Sequence, residues 1–176
     1  MMYFNEIFKQ IFLISVFFLS ITFFSNAQNT DSAKFKLPLV ILKTLEGKNI
    51  STSEITNEGK PIILIIWKSC CPANINMLND INDFYSDWQK ETGVVVYAIS
   101  IDDSRNSSKI APLVNVKGWE YKILLDSNAD FKRAMNIVAT PHIFILNREN
   151  DIVWQKTTYN AGEIDEIYRE LKKISK

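Results

Sequence analysis

The sequence has few of the residues that build metal centres and disulfide scaffolds. Its 176 residues include only two cysteines, adjacent at positions 70 and 71, and one histidine, His142. Adjacent cysteines cannot staple distant parts of a fold, because a disulfide needs two segments whose side chains face each other. One histidine beside two neighbouring cysteines supplies too few well-spaced ligands for a metal site. We therefore expect no structural disulfide, no metal and no cofactor.

The sequence also has no excess of either charge. Lysine and arginine together number 20, and aspartate and glutamate together number 20. A protein that binds nucleic acid needs a basic surface to contact the phosphates. The charge balance therefore predicts no nucleic-acid partner.

The N-terminal apolar stretch is too short for a typical membrane span. Ile11–Phe24 follows Lys9 and is shorter than the roughly 20 residues that cross a bilayer. Ser25-Asn26-Ala27 comes next, and small residues at these positions are typical of a signal-peptidase site. We expect residues 1–27 to be a signal peptide, so that the protein is exported to the periplasm or cell envelope without a stable membrane span. The alternative is an uncleaved N-terminal anchor.

The rest of the chain has the pattern of one α/β domain. Residues 28–36 are predicted to be a flexible lead-in and 37–176 a single domain, without an internal linker or repeat. Short apolar runs alternate with stretches of helical periodicity, which predicts a three-layer fold with a mixed central sheet flanked by helices. The predicted strands are 37–45, 50–55, 61–67, 94–101, 121–125, 143–146 and 152–156, and the predicted helices are 72–92, 104–116, 128–137 and 163–175.

Both cysteines lie where a buried strand is predicted to meet a helix. The uninterrupted run Ile62–Trp67 suits a central strand buried on both faces, and Pro72 suits a first helical turn. Unpaired amides and the positive end of a helix stabilise a thiolate. Cys71 is therefore the candidate reactive residue. The alternative is that Cys71 is a small residue retained for packing.

On these residues the chain resembles the thioredoxin superfamily, and within it the exported thiol-disulfide oxidoreductases of the TlpA/ResA type. The resemblance is carried by the strand ending in Trp67, by the Cys-Pro-Ala-Asn junction at 71–74, and by Val-Ala-Thr-Pro at 138–141. By element order it covers roughly the whole predicted mature chain. It implies a thioredoxin-like fold, a cis-proline, and a substrate groove formed by Trp67, Pro72, Thr140 and Pro141.

The resemblance also identifies a degenerate Cys-x-x-Cys motif. The second cysteine of the family is Asn74 here, and Cys70 replaces the tryptophan that usually precedes the first. Thioredoxin has an acid six places before its first cysteine, where this chain has Ile65. A dithiol-disulfide cycle within the motif is therefore impossible. Cys70 could be a resolving thiol or an exposed replacement for the tryptophan, and Asn74 could donate to the Cys71 sulfur or cap the helix.

Three functions are compatible with these residues. The leading hypothesis is a single-thiol oxidoreductase in cell redox homeostasis: Cys71 attacks a disulfide of an exported or envelope protein, and an external thiol reductant completes turnover. The alternative is a non-catalytic binding module that uses the same groove and has a vestigial redox site. A thiol peroxidase ranks last, because its threonine or serine and its proline would stand where Lys68 and Leu64 are found.

Overall fold

The strands of the protein form one mixed sheet in a computed structural model that describes residues 35–175. Within this range the strands are β1 (Phe35–Lys36), β2 (Ile41–Thr44), β3 (Asn49–Ser51), β4 (Ile62–Trp67), β5 (Val95–Ser100), β6 (Lys122–Leu125), β7 (His142–Leu146) and β8 (Asp151–Lys156). These eight strands lie in the order β1-β8-β7-β4-β5-β6-β2-β3. β4, β5 and β6 are parallel, whereas β7 and β8 form an antiparallel hairpin beside β4, with β1 at its outer edge.

Helices cover both faces of this sheet. The helices are α1 (Pro72–Thr92), α2 (Ile110–Lys117), α3 (Asp130–Ala134) and α4 (Ile164–Ile174), with single 3-10 turns at Thr52–Glu54 and Ser107–Lys109. One apolar cluster contains buried residues of α1, α2 and α4, and the cluster on the other face contains Phe131 of α3. The predicted three-layer α/β fold with a mixed sheet is therefore confirmed.

β4 is the central strand, and it determines where the cysteines lie. All six of its residues are buried, between the parallel neighbour β5 and the antiparallel neighbour β7. Successive side chains alternate between the two apolar clusters, so a shift of one residue would exchange the two sets. The register of β4 is therefore strongly specified, and the residues that follow Trp67 emerge at a defined point on the sheet edge.

Two of the predicted helices are shorter than expected. α3 covers five residues of the predicted 128–137 because Ala129 and Asn136, on either side of it, have left-handed backbone conformations, with φ of 58° and 50°. The predicted helix 104–116 begins late, because the Asp103 carboxylate accepts the N–H groups of Arg105 and Asn106 and holds a turn there. Both interruptions arise from local turns between the apolar positions.

The start of the described chain is more ordered than predicted. The predicted signal peptide at 1–27 and most of the predicted lead-in at 28–36 lie outside the described residues. The last two residues of that lead-in form β1, in which Phe35 pairs with Ile152 and Lys36 with Asp151 of β8. Among residues 35–175, no helix is both long enough and apolar enough to cross a membrane.

Candidate functional site

Cys71 is the N-cap residue of α1. Its backbone is extended, with φ −109° and ψ 113°, and Pro72 occupies the first turn of the helix. The Cys71 carbonyl accepts the N–H groups of Asn74 at 3.1 Å and Ile75 at 3.3 Å, which begins the helical hydrogen bonds. The thiol is partly exposed and makes no capping hydrogen bond, and the first turn of α1 contains no acidic residue. The sulfur therefore lies at the positive end of a 21-residue helix whose first turn contains no carboxylate to oppose a thiolate.

Cys70 lies on the turn that connects β4 to α1. The N–H of Cys71 donates to the carbonyl of Lys68 at 3.4 Å, so Cys70 is the third residue of this turn. Cys70 is exposed, and both cysteines are free thiols. The exposure of Cys70 is compatible with both of its predicted roles, a resolving thiol and an exposed replacement for tryptophan, which stay predictions.

Asn74, at the position where the resemblance predicts a second thiol, is completely buried. Its Nδ2 donates to Thr140 Oγ1 at 3.4 Å, whereas its buried Oδ1 has no hydrogen-bond partner among the described residues. The side chain thus contacts Thr140, which is neither of the two roles predicted from the sequence. Asn74 joins the first turn of α1 to the loop that precedes β7.

That loop contains Pro141, which the resemblance predicts to be a cis-proline. The Thr140–Pro141 peptide bond is cis, Pro141 is buried and Thr140 is half-buried. Val138, two residues before Thr140, is 88% exposed. Because β7 is antiparallel to β4, with His142 opposite Ile66, the start of β7 lies beside the end of β4. The sheet therefore brings the Thr140–Pro141 loop to the same edge as the cysteine turn.

Trp67 does not line a groove, and this predicted role is wrong. Its side chain is completely buried and packs edge-on against Trp119, with ring centroids 5.4 Å apart. The alternation along β4 points Trp67 into the apolar cluster beneath α1. The predicted groove residues that remain beside the cysteine turn are Pro72, Thr140 and Pro141.

Asp102 was not among the residues predicted from the sequence. Its carboxylate is 2% exposed and accepts hydrogen bonds from Ser69, which immediately precedes Cys70. The available signal was its place two residues after the buried strand β5, since polar residues at the carboxyl ends of parallel strands gather at one edge of a sheet. Among residues 35–175, no group of three His, Cys, Asp or Glu side chains is arranged to hold a metal ion.

Residues 31–155 match the AhpC/TSA family. The chain belongs to this family. Curated relatives of this AhpC/TSA protein include sporulation thiol-disulfide oxidoreductase A of Bacillus subtilis, 27% identical over 133 residues that cover 75% of this chain and 79% of the relative. Another is the thiol:disulfide interchange protein DsbE of Pasteurella multocida, 25% identical over 167 residues, with coverage of 89% and 84%.

The solved structures confirm the fold of this AhpC/TSA protein. A thioredoxin-like protein from Porphyromonas gingivalis is 42% identical, with a TM-score of 0.72, and the match covers 79% of this chain and 91% of that one. The predicted resemblance to thioredoxin-like thiol-disulfide oxidoreductases is therefore confirmed.

His142 is the titratable group next to Pro141 in this AhpC/TSA protein. Its side chain is buried, its Nε2 shares a hydrogen bond with Gln155 Oε1 at 3.1 Å, and its ring stacks on Phe144 with centroids 4.2 Å apart. Burial lowers the pKa of His142 below its ordinary value, and the hydrogen bond to Gln155 opposes that shift. The folded state therefore favours the neutral imidazole.

We expect this burial to make the protein less stable in mild acid. The unfolded chain takes up a proton at His142 near pH 6.5, whereas the folded chain takes it up only at lower pH. The contribution of the neutral His142 side chain to stability is complete above the pKa of this residue in the unfolded chain, and it is lost as the pH falls through its pKa in the folded chain. Urea unfolding at about pH 7.5 and about pH 5.5 should show a larger loss for the wild type than for His142→Gln. An equal loss in both proteins would contradict the prediction.

Proposed function

We propose that this protein is an exported thiol-disulfide oxidoreductase that acts through the single thiol of Cys71. The observation that carries the proposal is the chemistry of the first turn of α1. A partly exposed thiol stands at the N-cap, and a completely buried Asn74 stands where a second thiol would be. The names of the relatives, a thiol-disulfide oxidoreductase and a thiol:disulfide interchange protein, support the reaction class.

The proposed reaction begins when the Cys71 thiolate attacks one sulfur of a client disulfide. A bond forms between Cys71 Sγ and that sulfur, the client disulfide breaks, and the departing sulfur leaves as a thiolate that takes up a proton. An external thiolate then attacks Cys71 Sγ and releases the client as a second thiol. A second external thiolate frees Cys71 and forms an external disulfide. The client disulfide is thereby reduced, and two external thiols are oxidised.

The proposed client is an exported or envelope protein that carries a disulfide. Pro72 is exposed and Thr140 is half-buried, whereas Pro141 is buried. The exposed Val138 adds an apolar contact on the approach to this loop. We propose that a client segment lies along Thr140 and Pro141 with its disulfide over the Cys71 sulfur. A binding module would hold the same segment without exchanging sulfur bonds.

The source of electrons tests the single-thiol mechanism. We expect the wild type to reduce insulin disulfides with excess glutathione, because an external monothiol can resolve the mixed disulfide on Cys71. With only an enzymatic reductase that regenerates protein dithiols, reduction should stay at background. The rate of insulin precipitation measures disulfide reduction under both conditions. Rapid reduction with the reductase alone would contradict the mechanism and identify Cys70 as a resolving thiol, whereas inactivity under both conditions would favour the binding module.

Export is the second part of the proposal, and it rests on residues 1–27. The apolar stretch and the small residues that end at Ala27 are typical of a cleaved signal peptide. We expect the protein recovered from the cell envelope to begin near Gln28, and intact-mass measurement would test this. A mass that retains residues 1–27 would show that the segment is an anchor.

A further inference from the structure

The carboxylate of Asp102 is committed to the segment that precedes the cysteines. Oδ2 accepts the N–H of Ser69 at 2.9 Å and the hydroxyl of Ser100 at 2.7 Å, and Oδ1 accepts the hydroxyl of Ser69 at 2.8 Å. Asp102 is 2% exposed. A buried carboxylate is costly unless it is hydrogen-bonded, and here both oxygens have partners. Two of the three bonds go to one residue of the cysteine turn.

These bonds anchor the cysteine turn to the neighbouring strand. Ser69 is the second residue of the turn that Cys71 closes on Lys68, and the closing bond is long, at 3.4 Å. Asp102 holds Ser69 by both its backbone and its side chain, and the N–H of Ile101 donates to the carbonyl of Trp67 at 2.9 Å. The position of Cys71 at the start of α1 therefore depends on the end of β5.

We propose that Asp102 is a positioning residue for Cys71, an inference that rests on the proposed function. It fixes the Ser69 peptide, so the turn delivers the Cys71 sulfur to the positive end of α1. The charge of a carboxylate has the opposite effect, since a nearby negative charge disfavours a thiolate. The two effects have opposite signs. Loss of positioning slows the reaction of Cys71 with an alkylating agent, whereas loss of a repelling charge accelerates it.

Asp102→Asn separates the two effects. It preserves the side-chain shape and removes the charge. Its amide has only one acceptor oxygen, so in either orientation at least one of the two hydrogen bonds from Ser69 loses its acceptor. Asp126→Asn is the matched control, because Asp126 is also 2% exposed at the end of a parallel strand. Its carboxylate instead accepts the N–H groups of Phe131 and Lys132 at the start of α3. Both substitutions remove a buried charge, but only the first disturbs the cysteine turn.

The measurement is the rate at which iodoacetamide alkylates Cys71 at neutral pH, with every variant carrying Cys70→Ala. We expect Asp102→Asn to lower the rate about fivefold, the scale of a lost interaction with a helix end. Asp126→Asn should leave it unchanged. Ser69→Ala, which removes one of the bonds to Asp102, should lower the rate by a smaller factor. In parallel, hydrogen exchange of the Ser69 amide should accelerate in Asp102→Asn but not in Asp126→Asn.

The outcomes distinguish this inference from the proposed function. If Cys71 in the Cys70→Ala protein is alkylated no faster than Cys70 in a Cys71→Ala protein, the proposed function loses its basis. The hydrogen-exchange rate of the Ser69 amide alone then decides whether Asp102 anchors the turn. If Cys71 is reactive but Asp102→Asn leaves its rate unchanged or raises it, the positioning role is overturned. Should Asp102→Asn fail to fold, an unchanged rate in Ser69→Ala overturns it instead.

Discussion

Replacing Cys71 with serine should reduce glutathione-dependent insulin reduction to the rate of glutathione alone. The hydroxyl has nearly the shape of the thiol, but it cannot form the sulfur–sulfur bond of the mixed disulfide. Cys70→Ser is the matched control, because it removes the adjacent and more exposed thiol of the same turn. We expect Cys70→Ser to retain most of the activity, since Cys70 is not the N-cap residue of α1.

Mass spectrometry of the proteins after exposure to oxidised glutathione provides an independent measurement. The Cys70→Ser variant should carry glutathione on Cys71, and the Cys71→Ser variant should carry much less. The reverse pattern, with activity and adduct both following Cys70, would contradict the assignment of Cys71. Full activity in both variants would show that neither thiol is essential.

Replacing Asn74 with cysteine should create a reversible disulfide with Cys71 and supply the missing resolving thiol. The N-cap residue and the third helical residue lie on the same side of the first turn, within reach of a disulfide. The fold should tolerate the change to within about 1 kcal/mol, because the lost hydrogen bond to Thr140 is long and Asn74 Oδ1 has no partner among the described residues. The variant should then reduce insulin with the enzymatic reductase as its only electron source.

Asn76→Cys is the control for this gain of function. Asn76 is exposed and lies two residues further along α1, so a thiol there points away from Cys71. Peptide mapping after mild oxidation should find the new disulfide only in the Asn74→Cys protein. A failure to link Cys71 to the introduced thiol would contradict the geometry of the first turn. A link without reductase-driven activity would show that a second thiol alone does not restore the cycle.

The central strand and the cysteine junction could be predicted because their signals are local. Six consecutive apolar residues indicate a strand buried on both faces, and β4 has the bounds Ile62–Trp67. Pro72 at the start of α1 and Gly93 at its end are also local signals, since Gly93 adopts φ 70° at the C-cap. The position of Cys71 between the two elements follows directly from these signals.

The same continuous apolar pattern explains why the prediction for Trp67 was wrong. When both faces of a strand are buried, an apolar run does not reveal what each side chain contacts. Trp67 belongs to the cluster beneath α1 and meets Trp119, a residue far away in the sequence. The edge strand β1 was missed for a related reason, because two residues become a strand only when β8 supplies the partner.

The sequence by itself determined the fold class, the strand-to-helix junction at Cys71 and the absence of a second thiol at Asn74, because each follows from residues close together in the chain. Only the tertiary structure decided what surrounds that junction. Asn74 meets Thr140 across 66 residues, and Asp102 meets Ser69 across 33. These pairs exist because β5 and β7 flank β4, and no local pattern encodes which strands become neighbours.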